Sequence, residues 1–158
     1  MQNIKTIRGD LNASDLRVAI VAARFNELVV ESLIKGALDT LRSHGASDRN
    51  ITLVRVPGAI EMGLALEKTA AGRQYDAIVA LAAVIRGATP HFDYVAGECV
   101  QAVGQVSTRH GVPIGFGILT VDTIEQALER AGTKAGNKGS DAALAAIEMA
   151  SLLRKLEG

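Results

Sequence analysis

The stretch that decides the fold is Ala77-Ile78-Val79-Ala80-Leu81-Ala82-Ala83-Val84-Ile85, which Arg86-Gly87-Ala88-Thr89-Pro90-His91-Phe92 follows directly. A continuous apolar run of this kind predicts a strand that is buried on both faces of a parallel sheet. Thr89 and Pro90 are typical of an N-cap and a first helical position, so the strand is expected to enter a helix through a short loop. The unpaired N–H groups at the start of that helix suit an anion such as phosphate.

His91 lies in the first turn of this predicted helix. The helix dipole disfavours a positive charge there, so a neutral imidazole is expected, and such a group is suited to proton transfer near neutral pH. His44 and His110 each precede a glycine and are interpreted as C-terminal dipole partners. Many strand–loop–helix corners bind nothing, so this segment alone leaves an anion site and an empty corner equally open.

The composition and charge of the chain limit the partners and locations that are expected for it. The chain has 158 residues and a formal net charge of zero, and it has no basic stripe, so nucleic acid is not expected as a partner. The apolar run is too short to span a bilayer, and the segment 1–5 has no signal-peptide core. We therefore expect one cytoplasmic domain over residues 1–158, with no membrane partner and with residues 1–16 as an N-terminal arm.

Cysteine and histidine are sparse in this chain. Cys99 is the single cysteine, so no disulfide within the chain is expected, and it is interpreted as a small buried residue. The scattered histidines form no ligand cluster, so no metal is expected.

The rest of the chain alternates strands with helices. Further strands are predicted over 17–23, 51–56 and 114–119, and helices over 26–44, 57–72, 90–110, 122–130 and 140–156. Asp122-Thr123-Ile124-Glu125 has capping-box spacing, and Ser140 is expected to cap the last helix. The order of elements predicts an α/β protein with a four-stranded parallel sheet and helices on both faces.

Ligands in such folds bind outside the carboxyl ends of the strands. Phe25 follows the first strand, and its ring either folds over the rim of the core or forms a platform for a planar heterocycle. Glu61 is predicted in the first turn of a helix, as a dipole partner or as an acceptor for ligand hydroxyls. Lys134 and Lys138 lie in a glycine-rich loop, either solvated or close to an anion or another subunit.

Four segments together resemble the 6,7-dimethyl-8-ribityllumazine synthase family. They are Ala23-Arg24-Phe25-Asn26, Val56-Pro57-Gly58-Ala59-Ile60-Glu61, the segment 84–92 and the segment 124–139, in the family's order and spacing. The resemblance implies a three-layer flavodoxin-like sandwich and a cofactor-free transferase of riboflavin biosynthesis. That enzyme condenses 5-amino-6-(D-ribitylamino)uracil with L-3,4-dihydroxy-2-butanone 4-phosphate, releasing phosphate and water, in the penultimate step of the pathway.

The resemblance also implies roles for individual residues. The ribitylaminouracil would contact Phe25, Ala59, Ile60, Glu61, Ala83, Val84, Ile85, Phe116 and Lys138. The phosphate of the second substrate would contact Ala88, Thr89 and Arg130, and His91 would move protons. Phe116 and Arg130 would come from the neighbouring subunit of a pentamer. Two positions depart from the family: Ala82-Ala83 replaces Gly-Thr, and Ile60 replaces an aromatic residue.

The expected partners are the two substrates and further copies of the chain. A pentamer, a decamer and an icosahedral shell of pentamers stay open, with riboflavin synthase as a candidate partner; the 132–139 loop has no extra residues, which favours the shell. Two other functions are considered. A flavin-binding module would need a Ser/Thr-rich phosphate loop after the first strand, which Arg24-Phe25-Asn26-Glu27 is not. A scaffold without chemistry would show a damaged site.

Overall fold

The computed structural model describes residues 3–158. The strands are β1 (Val18–Ala23), β2 (Ile51–Val56), β3 (Ala77–Ile85) and β4 (Ile114–Val121). The helices are α1 (Glu27–Ser43), α2 (Met62–Ala71), α3 (His91–His110), α4 (Ile124–Glu129) and α5 (Lys138–Glu157). Each predicted element is present: β2 and β3 have the predicted ends, and the ends of the other elements differ by up to five residues.

The four strands form one parallel sheet in the order β2-β1-β3-β4. The chain moves from β1 towards one edge of the sheet and from β3 towards the other, so the direction of winding reverses between these two strands. Ala22 is level with Leu81, and β3 continues beyond the last pair with β1. The carboxyl ends of β1 and β3 therefore border a crevice, which is the usual ligand position in an open α/β sheet.

Helices cover both faces of the sheet, which confirms the predicted three-layer flavodoxin-like architecture. Alternate residues of β1 enter different cores: Ile20 and Ala22 pack with α1 and α5, whereas Ala19 and Val21 pack with α2 and α3. Cys99 is buried in the second core, as predicted, and burial raises the pKa of its thiol to about 11.

The helix caps differ from the predicted ones in three places. Pro90, and not Thr89, occupies the N-cap position of α3, and no side chain of residues 3–158 caps that end. The capping box of α4 lies one residue later than predicted, because Thr123 accepts from the Gln126 N–H and Gln126 Oε1 accepts from the Asp122 N–H. The shift at α4 is possible because Thr123 and Gln126 offer the same kinds of polar side chain one residue later than Asp122 and Glu125.

Asn137, and not Ser140, caps α5. Its Oδ1 accepts from the backbone N–H groups of Gly139 and Ser140, while the Ser140 hydroxyl donates to the Gly36 carbonyl of α1. The helix therefore begins at Lys138, two residues before Ser140. Ser140 serves instead as a contact between α1 and α5.

The N-terminal arm packs on its own chain over part of its length. Lys155 Nζ donates to the Arg8 carbonyl at 2.7 Å, and the Ala13 N–H donates to the His44 carbonyl at 2.8 Å. Residues 1 and 2 of the predicted arm lie outside the described residues. No helix within residues 3–158 combines the length and the apolar character needed to cross a bilayer.

Candidate active site

A cavity of about 410 Å³, called here the first pocket, opens at the carboxyl ends of β1 and β3. Its lining residues are Ala23, Phe25, Asn26, Pro57, Gly58, Ala59, Ile60, Glu61, Ala83, Val84, Ile85, His91, Phe92 and Val95. Three separate segments of the chain thus meet here, those that follow β1, β2 and β3. The pocket coincides with the reversal of winding, where the fold itself leaves a crevice.

Phe25 projects at the mouth of the first pocket. Phe25 is 73% exposed, so its ring is not folded over the rim of the core. Its backbone N–H donates to the Pro57 carbonyl at 3.0 Å, and the Arg24 N–H donates to the Val56 carbonyl at 2.7 Å. These two hydrogen bonds extend the β1–β2 contact past the strands and hold the aromatic residue beside the 57–61 segment. The exposed ring face is suited to stacking with a planar ligand.

Glu61 lies at the end of a 3-10 turn, Ala59–Glu61, at the N-cap position of α2 and not within its first turn as predicted. Its Oε2 atom is buried and has no hydrogen-bond partner within residues 3–158. A buried carboxylate oxygen without a donor is costly to the folded protein. Because Glu61 also lines the first pocket, a ligand with a hydroxyl or N–H group can supply the missing donor.

His91 is the first residue of α3 and lines the first pocket. Ala88 and Thr89 lie in the exposed loop between β3 and α3 and do not contribute to the lining. The loop is anchored by Arg86, whose Nε lies 2.9 Å from Asp122 Oδ1 and whose guanidinium lies 4.4 Å above the ring of Phe92. This anchor gives the 86–90 loop a defined course at the edge of the pocket.

Three of the predicted site residues lie elsewhere on the same chain. A second pocket of about 390 Å³ runs along β4 and the start of α5, and it is lined by Phe116, Ile118, Leu119, Thr120, Val121, Arg130, Ala135, Lys138 and Asp141. The two pockets share no lining residue. β4 is an edge strand, separated from β1 by β3, so this second pocket lies at the edge of the sheet and not in the crevice between β1 and β3.

Arg130 and Lys138 are held close to each other by the turn between α4 and α5. The Lys138 N–H donates to the Arg130 carbonyl at 2.8 Å, and Arg130 Nη1 donates to the Gln126 carbonyl at 3.0 Å. The second pocket therefore presents two cationic side chains, with Asp141 as the acidic neighbour. Such a group of cations suits a phosphate.

Asn26, Phe92 and Val95 also line the first pocket, although no role was predicted for them from the sequence. Asn26 has a left-handed backbone, φ 61° and ψ 49°, and its Nδ2 donates to the Ala83 carbonyl at 2.7 Å. Asparagine after a buried strand is a weak signal for such a conformation. Within residues 3–158 no group of three or more His, Cys, Asp or Glu side chains is arranged to hold a metal ion.

A comparison with protein families gives one match that covers most of the chain. The model described as 6,7-dimethyl-8-ribityllumazine synthase matches residues 15–154. The matched range begins just before β1 and ends within α5, so it contains both pockets.

Proposed function

Because the chain belongs to the 6,7-dimethyl-8-ribityllumazine synthase family, we propose that it condenses 5-amino-6-(D-ribitylamino)uracil with L-3,4-dihydroxy-2-butanone 4-phosphate, releasing phosphate and water. Family membership makes the chain an enzyme, a transferase of riboflavin biosynthesis. The observation that carries the choice of substrates is the meeting of Phe25, Glu61 and His91 around one cavity. The aromatic ring can stack on a heterocycle, and the unpartnered carboxylate oxygen can accept from a hydroxyl of a polyol chain. The imidazole can transfer protons.

The ribitylaminouracil is assigned to the first pocket. Its pyrimidine ring stacks on Phe25, and a ribityl hydroxyl donates to Glu61 Oε2, which would satisfy the buried oxygen. Ala59 and Ile60 form the wall beside the ribityl chain.

The edge of the ring is assigned to the end of β3. In a strand, the N–H and C=O groups of one residue point to the same neighbouring strand, and those of the next residue point to the opposite side. The Ala83 carbonyl points towards β1, where Asn26 binds it, and the Arg86 N–H points towards β4, where it donates to Val121. The backbone groups of Ile85 therefore point to the β1 side, beyond the last β1 pair, and are available to a ligand. The backbone groups of Val84 point to the β4 side, so we assign Val84 a contact with the ring through its side chain.

The butanone phosphate is assigned to the loop before α3. Ala88 and Thr89 lie at the start of this helix, where backbone N–H groups and the helix dipole favour an anion. Arg130 of a neighbouring copy supplies a charge-assisted hydrogen bond to the same phosphate. Holding the leaving group in this way stabilises its charge as it departs.

The reaction then needs proximity and proton transfer. The amine of the uracil attacks the ketone of the second substrate and water leaves, which gives an imine; phosphate is eliminated, and the ring closes with loss of water. His91 moves protons in these steps. Much of the acceleration comes from holding two reactants together, because an oriented pair avoids the entropy cost of encounter.

The complete site is assigned to two copies of the chain. Phe116, Arg130 and Lys138 line a pocket that shares no residue with the first one, which supports their delivery to the first pocket of a neighbour. Two exposed apolar residues, Ile60 at 56% in the lining of the first pocket and Leu64 at 69% in α2, offer such a neighbour a contact. A head-to-tail contact closes into a ring or runs on as a filament, and we propose a cytoplasmic homopentamer.

Turnover of the purified protein tests the proposed reaction. With both substrates present, the ribityllumazine should appear by absorbance at the same rate as phosphate is released, and either substrate alone should give neither product. Purified protein that carries bound flavin and turns over nothing would point to a binding module. Protein that assembles without turnover or ligand binding would point to a scaffold. Light scattering and negative-stain microscopy decide between a pentamer, a decamer and a shell, and co-purification tests for riboflavin synthase.

A further inference from the structure

Asn26 combines an unusual backbone conformation with a specific hydrogen bond at the first pocket. Its φ of 61° lies in the left-handed region, which non-glycine residues seldom adopt and which asparagine tolerates better than most. Its Nδ2 donates to the Ala83 carbonyl over a separation of 57 residues, at 2.7 Å. Residues held in such conformations at a cavity often serve to fix the position of a neighbouring group.

The neighbouring group here is Phe25. Because its residue is 73% exposed, packing does not fix the ring. The backbone is instead held on both sides: the Phe25 N–H donates to the Pro57 carbonyl, and the next residue is tied to Ala83 of β3. The backbone that carries the Phe25 ring is thus held between the segment that follows β2 and the last residues of β3.

The same hydrogen bond changes what the end of β3 offers to a ligand. The Ala83 carbonyl points to the pocket side of the strand, and the Asn26 amide occupies it. A ring N–H that would otherwise find two equivalent acceptors, at Ala83 and Ile85, is directed to Ile85.

We propose that Asn26 is a positioning residue that holds Phe25 over the first pocket and masks the Ala83 carbonyl, so that a planar heterocycle stacks in one orientation with its edge at Ile85. This inference rests on the proposed function, since the heterocycle is the ribitylaminouracil. The second substrate makes no contact that depends on Asn26.

Two substitutions of Asn26 separate the effect of its left-handed backbone from the effect of its side-chain amide. Asn26→Gly keeps the left-handed backbone and removes the donor. Asn26→Asp keeps the size, but its carboxylate cannot donate and repels the Ala83 oxygen. Arg73→Gly is the matched control, because Arg73 also has a left-handed backbone, φ 54°, and lines neither pocket.

Steady-state kinetics with each substrate varied in turn provide the readout. Because Phe25 then loses one of its two anchors, KM for the ribitylaminouracil should rise in Asn26→Gly, by up to the roughly 2- to 13-fold that one neutral hydrogen bond is worth, and more in Asn26→Asp. KM for the butanone phosphate should stay at the value of the Arg73→Gly protein, and all three proteins should remain folded at the assay temperature.

Three results overturn the inference. They are an unchanged KM in both Asn26 variants, an equal rise of both KM values, and unfolding at the assay temperature that accounts for the lost activity, which would make the Asn26–Ala83 hydrogen bond structural only. The proposed function fails in a different way, because the unsubstituted protein would then not turn over the two substrates at all.

Discussion

At the scale of single residues, two side chains of the first pocket lack the partners that side chains normally have in a folded protein. Glu61 Oε2 is buried without a donor, and the Phe25 ring has little packing of its own. Protein cores normally pair their buried polar groups and bury their aromatic rings. Residues that break both rules around one cavity indicate that the missing partner is a ligand.

Glu61→Gln should weaken substrate binding without lowering stability. Hydrogen bonds to a charged acceptor are worth about 1.5–3 kcal/mol and neutral ones about 0.5–1.5 kcal/mol, so KM for the ribitylaminouracil should rise roughly 5- to 12-fold. The free energy of unfolding of the ligand-free protein should not fall, since the buried Oε2 atom has no donor among residues 3–158. Urea unfolding and initial rates measure the two quantities, with the exposed Glu157→Gln as control. A clear loss of stability in Glu61→Gln would mean that the carboxylate serves the fold.

His91→Ala should fold normally and lose turnover by roughly 10²-fold or less. General acid–base help is typically worth about 10²–10⁴-fold, and solvent or the bound phosphate can replace part of it here. Steady-state kcat measures the effect, and His44→Gln is the control because the His44 ring bonds to the Thr40 carbonyl away from both pockets. A kcat equal to that of the control would remove His91 from the mechanism.

At the scale of whole elements, the contact between α1 and α5 is set by glycine. A Cβ atom on Gly139 would lie 2.0 Å from the Leu33 carbonyl oxygen, and one on Gly36 would lie 2.3 Å from Asn137 Oδ1. The two helices therefore approach backbone to backbone. This contact also positions Lys138 at the start of α5, so that helix packing determines part of the second pocket.

Gly139→Ala should destabilise the protein by about 1–3 kcal/mol, as overpacking of a close contact does. Gly104→Ala is the matched control, because Gly104 lies within α3 with no atom within 4 Å of its Cβ position. Alanine is the better helix former there, by about 0.8–1 kcal/mol. Urea unfolding of both variants measures the difference, and equal stabilities would contradict the close approach of α1 and α5.

The end of α3 is joined to α2 by an ion pair that depends on pH. Glu67 Oε2 lies 2.9 Å from His110 Nε2 and 2.9 Å from Arg109 Nη1. The hydrogen bond from His110, together with the charge of Arg109, lowers the pKa of the Glu67 carboxyl from its ordinary value. A lowered pKa means that the stabilisation is complete above the pKa of the unfolded chain and is lost as the pH falls through the folded one.

The unfolding temperature of Glu67→Gln should therefore lie below that of the unsubstituted protein at about pH 7. The two temperatures should converge as the pH is lowered through the acid range, below the ordinary Glu pKa of about 4.3. Thermal unfolding at a series of pH values checks this, with Glu157→Gln as the surface control. A difference that is constant over the whole range would show that the charge of Glu67 plays no part.

At the scale of the whole molecule, the proposed division of the site between two copies of the chain predicts that activity depends on assembly. Two inactive variants, one changed at Phe25 and one at Arg130, should complement each other after they are unfolded and reassembled together. With random mixing in equal amounts, each pocket has an even chance for either residue, so about a quarter of the pockets should be intact if they act independently. The measurement is the activity of the mixture against each variant reassembled alone.

Absence of recovery, although mass spectrometry of the intact rings confirms mixing, would place the whole site within one chain. Recovery well above a quarter would mean that intact pockets influence their neighbours. A mixture of one variant with unsubstituted protein serves as the control for mixing itself.

Much of the fold was determined by the sequence alone, because periodicity is a local property. The unbroken apolar run of 77–85 predicted β3 with the correct ends, and helical spacing predicted the long helices. Motifs that lie at the ends of strands predicted which residues gather at the first pocket, since parallel strands end at the same edge of the sheet. Phe25, Glu61 and His91 were found in this way.

Only the tertiary structure decided the contacts between residues that are distant in sequence. The cap of α5 fell to Asn137 and not to Ser140 because α1 packs against that turn and engages the Ser140 hydroxyl. The bond from Asn26 to Ala83 spans 57 residues, and no local pattern predicts it. The separation of Phe116 and Arg130 from the first pocket likewise follows from the position of β4 at the sheet edge. Spacing along the chain constrains a turn of helix or a strand, whereas these distances depend on how complete elements pack in three dimensions.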